Sequence, residues 1–283
     1  MSDVGKIINK VREIKPIPAI VSKAFALLSE EDYDIGEVEK VISLDPGITA
    51  DLLKMANSPF YGFKSKIDTV KRAIVVLGSK NVLDIIITLH ATTFIKKDAP
   101  GYSIEAKQMW LHALMVAFTC DAIARKLGLR SDVAYTAGLL HDVGKQVLGE
   151  FLKKKVENAL QIVKDENVSF LEAERRVIGT DHAEVGAIIA ENWNFPRELV
   201  NAIRFHHEPH KSEELSELTC LVHVADCMVL SSGIGTGTDG LAYEIDPKAL
   251  EKLGISSIDP TFIDSAYLEL AEKLKDIENE LGE

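Results

Sequence analysis

The stretch Leu139-Leu140-His141-Asp142-Val143-Gly144-Lys145 sets a histidine and an aspartate side by side at the end of an apolar run. Imidazole and carboxylate can bind transition metals, move protons and orient one another. Four other places bring the same chemistry into largely apolar surroundings. They are His112 in MWLHALMVAFTC, His182 in TDHAEVGAIIAENW, His206-His207 closing AIRFHH, and Asp226 in LVHVADCMVL. Each one alone is better explained without a metal: a lone histidine as a core side chain bonded to the backbone, the adjacent pair as a solvent-facing helix end, the aspartate as a carboxylate serving a helix terminus. Taken together they would bury polar groups from five separate segments, at roughly 2–7 kcal/mol for each one left unpartnered. A helical bundle with such residues pointing inward builds a metal site from them.

The elements that must position these residues read as helices. Apolar residues recur at three and four positions, not two. Pro18 to Leu28 follows the lead-in KPIP. Asp34 is a cap for IGEVEKVISL, and Asp45-Pro46 places a cap and a first-turn proline before ITADLLKMAN. Ser58 to Gly62 reads as a turn. Thr69 caps VKRAIVVLG, which Gly78 closes, and Ser79 opens the next helix. Beyond a break at residues 96–101, helices are expected at roughly 103–127, 131–150, 153–165, 169–178, 182–193, 196–207 and 215–231. A Gly/Thr-rich loop at 231–240 and helices at 247–253 and 260–281 follow. The expected fold is all-α and two-lobed: an N-terminal helical lobe over residues 1–100, a metal-binding helical lobe over 101–231, and a C-terminal loop and helices, 232–283, packing on the second lobe.

Composition narrows the function classes. Among 283 residues, 46% are hydrophobic, enough for a sizeable core, and the formal net charge is −12. That balance argues against a nucleic-acid binder, which needs a basic face. DPGITADLLKMAN could pass for a helix-turn-helix, but no Lys/Arg-rich recognition helix accompanies it. Cys120, Cys220 and Cys227 form no CxxC pair and no even framework, which fits a reducing cytoplasm. The N-terminus lacks an apolar signal core, and the longest apolar run, near residues 85–89, is short for a bilayer span. A cytoplasmic protein without a membrane partner is expected, and with no sensor region in the chain its input would arrive in trans.

The order H…HD…H…HH…D resembles the HD superfamily of metal-dependent phosphohydrolases, which includes the HD-GYP cyclic di-GMP phosphodiesterases. The segment from IPAIVSKAFALL through DPGITADLLKMANSPFYG to LGSKNVLDIIIT is similar to the HDOD family, the HD-related output domain of bacterial signalling proteins. The likeness spans about residues 12–230. It implies that His112, His141, Asp142 and Asp226 hold one metal and that Asp142, His182, His206 and His207 hold a second, with Asp142 bridging. Fe or Mn is expected, with Zn or Ni as alternatives, because Mg and Ca prefer oxygen donors. Lys145, one helical turn beyond the HD pair, could hold a phosphate oxygen beside Asp142; alternatively it is a solvated surface lysine. These two are the candidate catalytic residues.

The HD-GYP signature HHExxDGxGYP is absent, since His206-His207 continue as Glu208-Pro209-His210-Lys211. Cyclic di-GMP hydrolysis is therefore not expected. Gln108 stands where a third-metal carboxylate would lie, so a trinuclear site is not expected either. His223, one turn before Asp226, reads as a half-exposed helix residue, with orientation of the ligands as its alternative role. His90, Trp110 and Trp193 read as packing residues, and His210 as solvated. Two functions follow: a regulatory signalling module read by a partner protein, or a phosphohydrolase acting on a nucleotide or other phosphate ester. A small phosphate-containing ligand suits both.

Overall fold

The computed structural model describes residues 5, 9, 11, 17–30, 32–63, 65–95, 99–102, 104–212, 215–233 and 244–255. Among them every regular element is a helix; the one β feature is an isolated bridge between Ala99 and Ile104. The expected all-α class is therefore what the chain adopts. The helix expected over 260–281 and most of the Gly/Thr-rich loop lie outside the described residues. Two compact units are present. One contains the described residues from 17 to 93; the other contains those from 94 to 255 together with 5, 9 and 11.

The first unit holds α1 (Ala19–Leu28), α2 (Ile35–Ile42), α3 (Pro46–Ala56) and most of α4 (Val70–Ile95). Asp34 and Asp45 cap as their sequence predicts. Asp34 accepts a hydrogen bond from Gly36 N at 2.7 Å, and Asp45 accepts from Gly47 N and Ile48 N at 2.8 and 3.1 Å. Asn57 then ties α3 to the next segment. Its amide donates to Ile67 O at 2.7 Å, and its carbonyl accepts from Ile67 N at 2.8 Å. The expected turn after it is a 3₁₀ helix, Pro59–Tyr61, ended by Gly62 at φ 64°.

Gly78 interrupts α4 at φ 82°, ψ 159°, a backbone conformation open to glycine and strained for other residues. The stretch Val70–Thr92 is long and apolar enough to cross a membrane by composition, contrary to the estimate from the 85–89 run. The break at Gly78 divides the stretch, so it is not one straight helix of the ~20 residues a span needs. Over half of its most apolar window, 56%, is already buried within the protein.

The second unit contains α5 (Ala106–Leu127), α6 (Ser131–Leu140), α7 (Gly144–Phe151), α8 (Lys153–Glu166), α9 (Phe170–Ile178), α10 (His182–Asn192), α11 (Arg197–Phe205), α12 (Glu217–Ser231) and α13 (Pro247–Lys252). Helix α5 packs on α6 and α12, α10 on α7 and α11, and α8 on α9. Trp110, Leu114, Leu140, Phe170, Ile203 and Val222 are buried at their centre, each worth roughly 1.5–3 kcal/mol of burial. Trp193 is buried as expected, and all three cysteines are buried and free.

One helical boundary departs from expectation. Residues 131–150 do not form a single helix: α6 stops at Leu140, His141-Asp142-Val143 make a turn, and α7 starts at Gly144. The cause is packing. A β-carbon on Gly144 would lie 1.9 Å from His182 O and 2.7 Å from Gly186 N, so the turn runs directly against the start of α10.

Candidate metal centre

The HD turn delivers His141 and Asp142 into the middle of the second unit. Asp142 divides its two carboxylate oxygens between two sets of imidazoles. Oδ1 lies 3.4 Å from His182 Nε2 and 3.8 Å from His206 Nε2. Oδ2 lies 3.3 Å from His141 Nε2 and 3.8 Å from His112 Nε2. Asp226, from α12, faces the second set: its Oδ1 is 3.1 Å from His112 Nε2 and 3.5 Å from His141 Nε2. His207 closes the first set with its Nε2 2.9 Å from that of His182. All seven residues named from the sequence thus converge. Two groups, Asp142/His182/His206/His207 and His112/His141/Asp142, each bring their donor atoms within 4.8 Å of one another. His141, His206 and Asp226 do so as well, so the two groups adjoin.

Local backbone fixes how the rings face. His141 Nδ1 donates to Gly138 O at 2.7 Å, and His206 Nδ1 donates to Ile203 O at 2.6 Å, each one turn back in its helix. His182 Nδ1 donates to Glu174 Oε2 at 2.6 Å. A carbonyl can only accept, so the Nδ1 proton is fixed and Nε2 is the atom that faces the centre, the arrangement metal-ligating histidines use. His141 Nε2, His206 Nε2, Asp142 Oδ1 and Asp226 Oδ1 are buried and make no hydrogen bond. Unsatisfied atoms of this kind are costly inside a protein. A cation bound among them removes that cost, and the donor set suits a transition metal.

The electrostatics point the same way. Burial pushes the Asp142 carboxyl up, but Lys145 and His141 outweigh it and hold it well below the ordinary range. Asp226 is held low in the same sense by His112 and His141. Burial pushes the His141 imidazole down, yet the two aspartates bring it up to about 10. Burial takes His206 down to about 3, so that ring is neutral. The carboxylates thus demand positive charge at their centre, and without a metal His141 supplies it as a proton.

Lys145 is neither solvated nor free to reach outward. It is 5% exposed, and its ammonium sits 2.7 Å from Asp142 Oδ2. His223 is not half-exposed; it is buried, donating from Nδ1 to His206 O at 2.7 Å and accepting from Asp246 N at 2.8 Å. It holds the backbone that carries His206 and His207. His210 is exposed as expected, although it pairs with Asp246 at 2.9 Å. Gln108 is exposed, and its carbonyl accepts from Glu105 N, which closes the start of α5.

The residue the sequence reading missed is Glu174. It is wholly buried, and besides His182 Nδ1 it accepts from His182 N at 3.1 Å and from the Tyr102 hydroxyl. Its position carried a signal. Phe170, Leu171, Glu174 and Ile178 share one face of α9, and Glu174 is the lone charge on that apolar stripe.

With this geometry in hand the relatives take their place. The HDOD domain profile matches residues 14–209. The chain belongs to the HDOD family. An HDOD domain protein with unknown function from Geobacter sulfurreducens superposes with a TM-score of 0.76 at 25% identity, covering 98% of this chain and 99% of its own. A candidate phosphohydrolase from Shewanella amazonensis gives 0.72 at 22% identity, with 98% of each chain covered. A candidate signal transduction protein from Marinobacter aquaeolei gives 0.74 at 19%, covering 98% of this chain and 64% of that one. The last two likenesses concern the fold.

Among curated sequences, an uncharacterised protein of Treponema pallidum is 25% identical over 228 residues, 80% of this HDOD chain and 44% of its own length. Ribonuclease Y of Thermus thermophilus is 32% identical over 117 residues, 41% of this chain and 15% of that enzyme. The HDOD chain thus spans less than half the length of either relative.

Proposed function

We propose that this HDOD protein is a bacterial signal-transduction module whose second unit binds two transition-metal ions, Fe or Mn in preference to Zn or Ni. The supporting observation is the division of Asp142 between two imidazole groups, with bare Nε2 atoms facing it. His112, His141, Asp142 and Asp226 would hold one ion, and Asp142, His182, His206 and His207 the other. When bound, such ions supply Lewis acidity and an activated water. The chain's own residues hold the rings in one tautomer and exclude solvent. A partner protein would read the loaded state in the cytoplasm, with neither nucleic acid nor membrane as partner.

The second reading is hydrolysis of a nucleotide or other phosphate ester. Lys145 motivates it, because an ammonium already at Asp142 is placed to neutralise a phosphate oxygen entering the cluster. The partial likeness to ribonuclease Y and the phosphohydrolase named among the structural relatives favour it at the level of family.

Metal analysis of protein purified without added metal tests the first reading. Wild type should carry bound transition metal and His141→Ala should carry far less; equal contents would refute the site.

A further inference from the structure

Tyr102 lies in the 3₁₀ turn Pro100–Tyr102, the described stretch of chain between the end of α4 and α5. This stretch is fastened to the elements around the metal centre. Gln146, next to Lys145 on α7, donates to Ile95 O at 3.1 Å. Gly149 on the same helix lies flat against Ala99, so that an added β-carbon would stand 3.1 Å from the Ala99 α-carbon. Tyr102 itself is 1% exposed, and its hydroxyl donates to Glu174 Oε1. Its ring lies 6.0 Å beneath the Lys145 ammonium. Glu174 spends its other oxygen on both the ring and the backbone N–H of His182.

A buried carboxylate that accepts from a tyrosine, an imidazole and an amide can turn in no direction without losing one of the three bonds. Any displacement of the 99–102 turn must therefore strain Glu174 or release it, and a released Glu174 no longer fixes the His182 ring. The coupling is reciprocal: whatever holds His182 in place also holds Glu174 for Tyr102.

We infer that Glu174, held by Tyr102, is a positioning residue for His182, so that loading of the metal group containing His182 and ordering of the 99–102 turn rise and fall together. This rests on the metal-site reading above and adds its regulation: the loaded state is transmitted to the chain leading out of α4.

The turn reports on itself through two backbone hydrogen bonds, Ala99 N to Ile104 O at 3.2 Å and Tyr102 N to Ala99 O at 2.9 Å. The test pairs Mn²⁺ titration calorimetry with hydrogen exchange of peptides covering 99–102, with and without Mn²⁺. Wild type, Tyr102→Phe, Glu174→Gln, Glu174→Ala and His112→Ala are compared. Mn²⁺ should slow exchange at 99–102 in wild type. Glu174→Ala should weaken one Mn²⁺ group by about 10–100-fold, the usual range for partners of ligating histidines, and Glu174→Gln should recover part of that loss.

Tyr102→Phe keeps the ring and its packing and isolates the hydroxyl. It should still bind Mn²⁺, more weakly, while losing the Mn²⁺-dependent protection at 99–102. His112→Ala should weaken the other group and leave the protection intact. The inference is overturned if Tyr102→Phe keeps wild-type protection, if Glu174→Gln and Glu174→Ala are equally impaired, or if wild-type exchange at 99–102 ignores bound Mn²⁺. If wild type binds no Mn²⁺, Fe²⁺, Zn²⁺ or Ni²⁺, the metal-site reading itself has failed and the inference falls with it. That failure is recognised when metal-stripped wild type, dialysed against each ion in turn, retains none on elemental analysis.

Discussion

Lys145 places its ammonium 2.7 Å from Asp142 Oδ2, with neither side chain more than 8% exposed. The pair sits on the carboxylate that both imidazole groups share, so it sets the charge of the metal-free cluster. Breaking a buried pair from one side leaves the other charge uncompensated, at about 3–5 kcal/mol. Lys145→Gln should lower the stability of metal-free protein by that order. Bound metal should restore part of the loss by supplying the missing positive charge. Urea unfolding in chelator and in excess Mn²⁺ measures both effects, and unchanged midpoints in chelator would count against this role for Lys145.

Metal uptake should release protons. His141 carries a proton up to about pH 10 in the metal-free cluster, and a ligating imidazole must be neutral. Raising the pH removes the competitor, so apparent affinity should strengthen by about tenfold per pH unit between 6.5 and 9 if one proton leaves per ion. Calorimetry in buffers of differing ionisation enthalpy counts the protons directly. An affinity flat across that window would show that His141 is not a ligand.

Metal-free stability should fall on both sides of neutrality. His206 is held at about 3, below its unfolded value near 6.5, so its contribution is present above 6.5 and is lost as pH falls toward 3. His141 is held at about 10, so its contribution is present below 6.5 and is lost as pH rises toward 10. Thermal melts in chelator across pH 4–10 should trace this profile. His207 is held low by burial as well, so His206→Gln should make the acid limb shallower without removing it and leave the alkaline limb standing.

If the phosphohydrolase reading holds, hydrolysis of p-nitrophenyl phosphate or a nucleotide in Mn²⁺ or Fe²⁺ should fall to background in Asp142→Asn. That change keeps the size of the side chain and removes its charge. Activity that survives it belongs to a contaminant or to another site.

Much of the candidate centre was legible in the sequence because its residues are the wrong polarity for their helices. His112 and Asp226 stand out among the apolar residues of α5 and α12, and the HD pair stands out at the end of α6. The three remaining histidines sit at the start of α10, behind the capping Asp181, and at the end of α11. What was not legible depends on close approach between elements distant in sequence. The break of 131–150 into two helices comes from α10 packing on Gly144, and helical periodicity carries no record of that neighbour. The burial of Lys145 and His223 likewise depends on partners across the fold. Glu174 was within reach of sequence reasoning, since its place on the apolar stripe of α9 is a local property, whereas its link to Tyr102 spans 72 residues and was not.

The close approach at Gly144 also makes the candidate centre sensitive to the smallest side chain. There is no room for even a methyl group between the HD turn and the first turn of α10. An alanine at that position would drive the two apart, parting His141 and Asp142 on the turn from His182 on α10. A single carbon atom would then divide the candidate cluster within the same fold. The HD pair alone does not assemble the cluster; the small residue two places after it lets the turn close on α10.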